Sequence, residues 1–285
     1  MPKNWQLLSQ IPTSNLDQAR EQLHAAIQLV SKVGRAYHPS DPEDQHASLT
    51  WSHEQGALLG KAIEGPEGVF QLGLRFLSLS LFVLKNGTLV EEYRLPDHGF
   101  HQANDWIKGQ LLAANFDLNR FQEDIPYDLP QYGPLLGEPF DFTYQPAMRL
   151  LGLTYGNAAR LLEAIGIAEG PGSPVLCWPH HFDLATLIPA DPGSSEKTIG
   201  LGFSPGDAER GCPEPYFYVN LWPIPEKVTP PASMAAGYWH SNGWQGGILT
   251  LAALLEFSTS EQQEQVCREF FMDTLAHNRS LLLAV

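Results

Sequence analysis

Phe70-Gln71-Leu72-Gly73-Leu74-Arg75-Phe76-Leu77-Ser78-Leu79-Ser80-Leu81-Phe82-Val83, continuing into Leu84-Lys85-Asn86-Gly87-Thr88, is the stretch on which the fold class turns. Phe70, Leu72, Leu74 and Phe76 alternate along the chain, and Leu77, Leu79, Leu81 and Val83 alternate on the opposite parity. Side chains of a strand repeat every two residues, so the switch at Phe76-Leu77 predicts a bulge or bend in extended chain. Asn86-Gly87 predicts a two-residue hairpin turn of type I′, which needs positive φ at both positions. A returning strand is expected over residues 88–93, within a strand-rich region spanning 47–94.

Working outward, the flanking pattern has the helical period. Leu23, Ile27, Val30 and Val33 lie on one stripe of a helix expected over residues 16–37, with Ser14 three residues before Asp17 as its cap. A second helix is expected over 101–115. Residues 123–140 carry Pro126, Pro130, Pro134 and Pro139 with Gly133 and Gly137, the composition of a connector. Beyond it come a helix over 146–165, strands near 175–178, 198–203, 216–222 and 248–251, and a last helix over 261–276.

This order reads as an α+β fold of two related halves, each a helix, antiparallel strands and a helix, packed as one unit. The expected partition is 1–122, a connector at 123–140, and 141–285. An offset of 127 positions places Leu49, Trp51 and His53 on Leu176, Trp178 and His180, and Gly73, Leu74 and Phe76 on Gly200, Leu201 and Phe203. Matching element order supports an internal duplication.

Composition narrows the function. The 285 residues are 43% apolar and 17% charged, which suits a packed core rather than disorder. A formal charge of -15 with no Lys/Arg cluster argues against nucleic acid and anionic lipid as partners. No apolar run reaches the roughly 20 residues that span a bilayer. Cys177, Cys212 and Cys267 are odd in number and widely spaced, which suits reduced thiols, and residues 1–6 lack a signal-peptide core, so a cytoplasmic location is expected.

Among local motifs, Gly202-Phe203-Ser204-Pro205-Gly206 matches the G-x-S-x-G string of a hydrolase nucleophile elbow. Pro205 lacks the backbone N–H that an elbow needs for its oxyanion hole, so a tight turn after a strand is expected instead. Asp97, His98, His101 and Asp105, and also His180, His181 and Asp183, have no recognised metal spacing, and no metal site is expected. If residues 180–183 were extended, His181 and Asp183 would share a face and could form an acid–base pair. The rings of Tyr216, Phe217, Tyr218, Trp222, Tyr238, Trp239 and Trp244, most with polar tips, suit the lining of a small-molecule pocket or, as the commoner use of such residues, the core.

The C-terminal half resembles an uncharacterised bacterial family known only as a domain of unknown function. The resemblance is carried by Ser173-Pro174-Val175, Phe182-Asp183-Leu184-Ala185, Gly202-Phe203-Ser204-Pro205-Gly206, and Pro215-Tyr216-Phe217-Tyr218 leading to Pro223 and Pro225. In the N-terminal half Leu23-His24, Lys32-Val33 and His46 are similar to family positions. The chain departs from the family at Arg75 and Leu79, where an Asp and a His are typical, and near His180 and His181, where Gly and a small residue are typical. The resemblance implies an unassigned function and adds no mechanism, and it assigns neither a cofactor nor an oligomeric state.

These readings converge on a small-molecule ligand held by Trp178, His180, His181, Asp183, Tyr218 and His240, in the C-terminal half or between the halves. The alternatives are an enzyme using Asp183 and a neighbouring His as acid–base or metal groups, and a subunit-interaction protein.

Overall fold

The computed structural model describes residues 4–10, 12–170, 172–208 and 211–284. The α+β class is observed, with five α-helices and two antiparallel sheets among these residues. Two compact units are present, and neither is a continuous half. The N-terminal unit comprises Ile11–Gly152 and Cys177–Phe182, and the C-terminal unit comprises Met1–Gln10, Leu153–Leu176 and Asp183–Val285.

In the N-terminal unit, α1 (Thr13–Tyr37) precedes six strands, β1 (Thr50–Ser52), β2 (Ala57–Leu59), β3 (Ile63–Gly65), β4 (Gly68–Arg75), β5 (Ser80–Lys85) and β6 (Thr88–Arg94), then α2 (Phe100–Ala113). The sheet order is β1-β2-β4-β5-β6, with β3 branching off β4. Helix α1 starts earlier than its apolar stripe implies. Pro12 occupies the N-cap position, so Ser14 is inside the helix and is not its cap. Pro suits a helix start because its missing N–H and fixed φ cost nothing there.

The parity switch at Phe76-Leu77 is a chain reversal, not a bulge or bend within one strand. Arg75 pairs with Ser80, and residues 76–79 form the connecting turn, with Leu79 at φ 44. Leu72 therefore pairs with Val83 and Leu74 with Leu81, so residues of opposite parity share one sheet face. Asn86 (φ 49) and Gly87 (φ 79) form the expected two-residue turn between Lys85 and Thr88. On the other face Gly73 pairs with Phe82, whose ring occupies the space a Cβ at position 73 would need. The Arg75 guanidinium lies 4.1 Å from the centroid of the same ring.

The C-terminal unit takes up the chain within α3 (Gln145–Ala168), and β7 (Leu176–Trp178) begins in this unit. It continues with β8 (Asp183–Asp191), β9 (Ser194–Ser204), β10 (Tyr216–Trp222), β11 (Tyr238–His240) and β12 (Gly246–Thr250). The short α4 (Leu251–Leu254) and the long α5 (Ser260–Leu283) follow. Strands β11-β12-β10-β9-β8 are consecutive neighbours. Phe217 packs edge-on against Phe271 of α5 and beside Phe203, which meets Tyr155 of α3. One sheet face is thus the core.

Residues 4–10 join this unit through side chains that imitate backbone. Gln263 on α5 accepts from the Leu8 N–H (2.9 Å) and from Trp5 Nε1 (3.3 Å), and donates to the Leu8 carbonyl (2.9 Å). Asn157 on α3 accepts from the Gln6 N–H and donates to its carbonyl, each at 2.8 Å. This tethering places residues 4–10 with the C-terminal unit.

Both units combine helices with an antiparallel sheet, as expected. The strand orders differ, through the branching β3 in one and the placement of β12 before β11 in the other, and a duplication is not established. Cys177, Cys212 and Cys267 are buried and form no disulfide with one another. No helix among the described residues is long and apolar enough to cross a membrane.

Two glycine substitutions should separate sheet packing from helix propensity. Gly73→Ala would put a Cβ 2.4 Å from Phe82 Cζ and 2.7 Å from Leu59 Cδ2, and should destabilise by about 1–3 kcal/mol. Gly109→Ala on exposed α2 meets nothing within 4 Å and should stabilise by up to about 1 kcal/mol. Urea unfolding midpoints of the two variants check both signs.

Candidate functional site

Asp183 is the first residue of β8, a strand that the sequence reading did not anticipate. Its neighbour across the sheet is reached through a glycine. Tyr218 of β10 pairs with Gly202 of β9, and a Cβ at position 202 would lie 2.5 Å from both Cζ and Oη of Tyr218. The phenol therefore lies flat over Gly202 and donates from Oη to Asp183 Oδ2 at 2.6 Å, spanning β9 from β10 to β8. Asn220, two residues on, lies over Gly200 in the same way.

Aromatic groups continue this face toward β12. Trp244 is 6.2 Å from the Tyr218 ring and 4.5 Å from His240. His240 Nε2 donates to the Asn242 carbonyl at 2.7 Å. Tyr216 packs with Cys212 and Ile248 beneath Tyr218 and Trp244, and burial pushes its phenol up. Ser204 ends β9 and its Oγ accepts from the Gly206 N–H, while Gly206 adopts φ 110. The G-x-S-x-G string is a turn after a strand, as expected, and the next element among the described residues is the strand β10.

Trp178, His180 and His181 belong to the N-terminal unit. Residues 179–182 form a turn closed by Phe182 N–H to the Trp178 carbonyl (2.7 Å), with Phe182 at φ 57. This corrects the extended geometry from which a shared face for His181 and Asp183 was expected. Within the turn His180 lies 4.2 Å from His181, 6.3 Å from Trp178 and 5.7 Å from Tyr127, ring to ring. The six expected site residues thus form two sets in different compact units. Asp183, Tyr218 and His240 are linked through Trp244, and Trp178 is grouped with His180 and His181.

Beside the second set runs a polar stripe that apolar periodicity did not reveal. His24, Gln28, Ser31 and Lys32 recur at helical spacing on α1 and are all buried. His24 Nε2 donates to the Pro179 carbonyl at 2.9 Å, so its Nδ1 accepts from Tyr132 Oη at 3.0 Å. Gln28 donates to the same Pro179 carbonyl (2.7 Å) and accepts from Tyr127 Oη (2.6 Å). Burial lowers the His24 pKa from 6.5 to about 3. Lys32 sits over Phe100 at 4.6 Å and donates to Asn104 Oδ1 at 3.4 Å. Burial lowers its pKa from 10.5 to about 8 against the raising effect of Glu123 and Asp124. The signal that could have found the stripe was the resemblance at Leu23-His24 and Lys32-Val33.

His101 pairs with Asp105 (3.4 Å) and Glu123 (3.7 Å) on an exposed helix face. No group of three or more His, Cys, Asp or Glu among the described residues is arranged to hold a metal ion. Comparison with family models, curated proteins and solved structures finds no match. The resemblance to the bacterial family therefore rests on its quoted motifs alone.

The His24 environment sets a pH dependence. A histidine kept neutral in the fold contributes stability that is full above 6.5 and lost as pH falls from 6.5 toward about 3, because only the unfolded chain gains the proton. The expected slope is about 1 kcal/mol per pH unit in that window. In His24→Gln this part of the acid loss should vanish, measured as the difference between wild-type and variant unfolding free energies across pH.

Proposed function

We propose that the C-terminal unit binds a small, neutral, hydroxyl-bearing molecule with a flat apolar face, a monosaccharide being the simplest representative. The observation that carries this reading is the Tyr218–Asp183 pair laid over Gly202. It holds the Asp183 carboxylate on the sheet face that also carries Asn220, while the Tyr218 ring meets Trp244 edge-on at 6.2 Å. Sugars offer C–H faces to rings and hydroxyl donors to carboxylate and amide acceptors. The formal charge of -15 disfavours an anionic ligand. Three buried cysteines outside any disulfide favour a reducing compartment such as the cytoplasm.

Saturation-transfer NMR with a panel of neutral monosaccharides tests the proposal. At least one sugar should show transfer to its ring protons, and Asp183→Asn should weaken it by about tenfold, the cost of a charged hydrogen bond. Tyr218→Phe should weaken binding similarly by releasing Asp183 from its fixed position. Melting temperatures should stay close to wild type in both variants. Absence of transfer from every sugar, or transfer unchanged in Asp183→Asn, would sink the reading.

A further inference from the structure

On the face of β12 opposite Ile248, a separate cleft lies between the 231–236 segment and α5. Its volume is about 40 Å³, and Met234, Phe270, Asp273, Thr274 and His277 are among its lining residues. Since a water needs roughly 10–15 Å³ by this measure, the space fits one small head group and nothing larger. It exists because position 247 is glycine. A Cβ there would meet Thr274 Cγ2 at 2.8 Å, Met234 Cε at 3.0 Å and Thr274 Oγ1 at 3.1 Å.

The cleft contains a polar atom with nothing to bond. Thr274 is 2% exposed, and its Oγ1 has no hydrogen-bond partner among the described residues. Buried hydroxyls are rarely left so, and one at the wall of a cleft marks a place where a ligand atom belongs. The other polar groups of the lining are acceptors or can serve as such. Asp273 carries a carboxylate. His277 Nε2 donates to the Thr229 carbonyl at 2.9 Å, which in the uncharged tautomer makes Nδ1 an acceptor. Phe270 supplies an aromatic ring and Met234 a thioether, and no Lys or Arg lines the space.

We propose that this cleft is a binding site for the primary ammonium group of a small amine. An ammonium brings three donors and a positive charge to a lining built from acceptors and a ring, and it matches the space in size. Carboxylates and phosphates are excluded by the same acceptors. The site stands independently of the sugar-binding proposal, since it uses the opposite face of β12 and none of its residues.

The test uses the full chain labelled with ¹³C-methyl methionine, in which Met234 reports on the cleft while Met148 and Met272 serve as internal references. Methylammonium chloride should shift the Met234 resonance saturably, whereas tetramethylammonium chloride and potassium chloride at equal ionic strength should not. Asp273→Asn, an exposed position that leaves the fold intact, should weaken the methylammonium response by about tenfold. Thr274→Val should weaken it as well, and unchanged Met148 and Met272 resonances would certify its fold. A Met234 signal that never moves, or one that moves equally with potassium or tetramethylammonium, or a response unaltered in Asp273→Asn, would overturn the proposal.

Discussion

A side chain that is missing governs the architecture of both sheets. Opposite Phe82 the N-terminal sheet has Gly73, and opposite Tyr218 and Asn220 the C-terminal sheet has Gly202 and Gly200. In each case the neighbouring side chain lies down along the sheet into the space a Cβ would fill. Adjacent strands are about 4.8 Å apart, so β8 and β10 are separated by roughly twice that. Only a ring lying flat across the middle strand brings its hydroxyl within bonding reach of a carboxylate on the far one. The Tyr218–Asp183 bond is thus a consequence of glycine at 202, and a cross-strand pair acquires a polar tip two strands away.

Amides and an imidazole do the remaining joining. Gln263 and Asn157 each present both halves of an amide to a backbone N–H and carbonyl, replacing a strand partner for residues 4–10. His24 and Gln28 share the Pro179 carbonyl from successive turns of α1. A buried polar group costs stability unless it is bonded, and these groups are bonded at both ends, which specifies position where apolar contact would only attract. Lys32 is the exception along the stripe. Its depressed pKa follows from exchanging hydration for one amide oxygen and a ring face.

The helices and most strands were legible because they depend on local period. Strand β10 has the expected bounds, and Asn86-Gly87 forms the expected turn because the need for positive φ is written in those two residues. Strand β8 was missed because Asp183-Leu184-Ala185-Thr186-Leu187-Ile188-Pro189-Ala190-Asp191 alternates weakly, with small residues and a proline where bulky ones would give a signal. Its proline is tolerated where the β8–β9 register shifts, between Pro189 and Asp191. The compact units could not be read from composition, since what assigns residues 4–10 is a pair of amides more than 150 positions away. Of the candidate site, Asp183, Tyr218 and His240 were foreseen as residue types with useful tips. The glycine floor and Trp244 as their link were not, because cross-strand register is a property of pairing and leaves no mark in either strand alone.

The two faces of β10 are built by different rules. Phe217, Val219 and Leu221 point toward the helices and carry no polar atom, so their burial needs no partner. Tyr216, Tyr218 and Asn220 alternate with them and do carry such atoms, and the sheet supplies glycines rather than bulky residues opposite the last two. A core built for packing would invert that choice, because glycine forfeits the dispersion contacts that a filled position makes. What glycine provides instead is a flat floor and a fixed direction for each polar tip. Stability is lost at those positions and geometry is gained, and the hydroxyl of Tyr218 spends its gain on holding the carboxylate of Asp183 in one orientation.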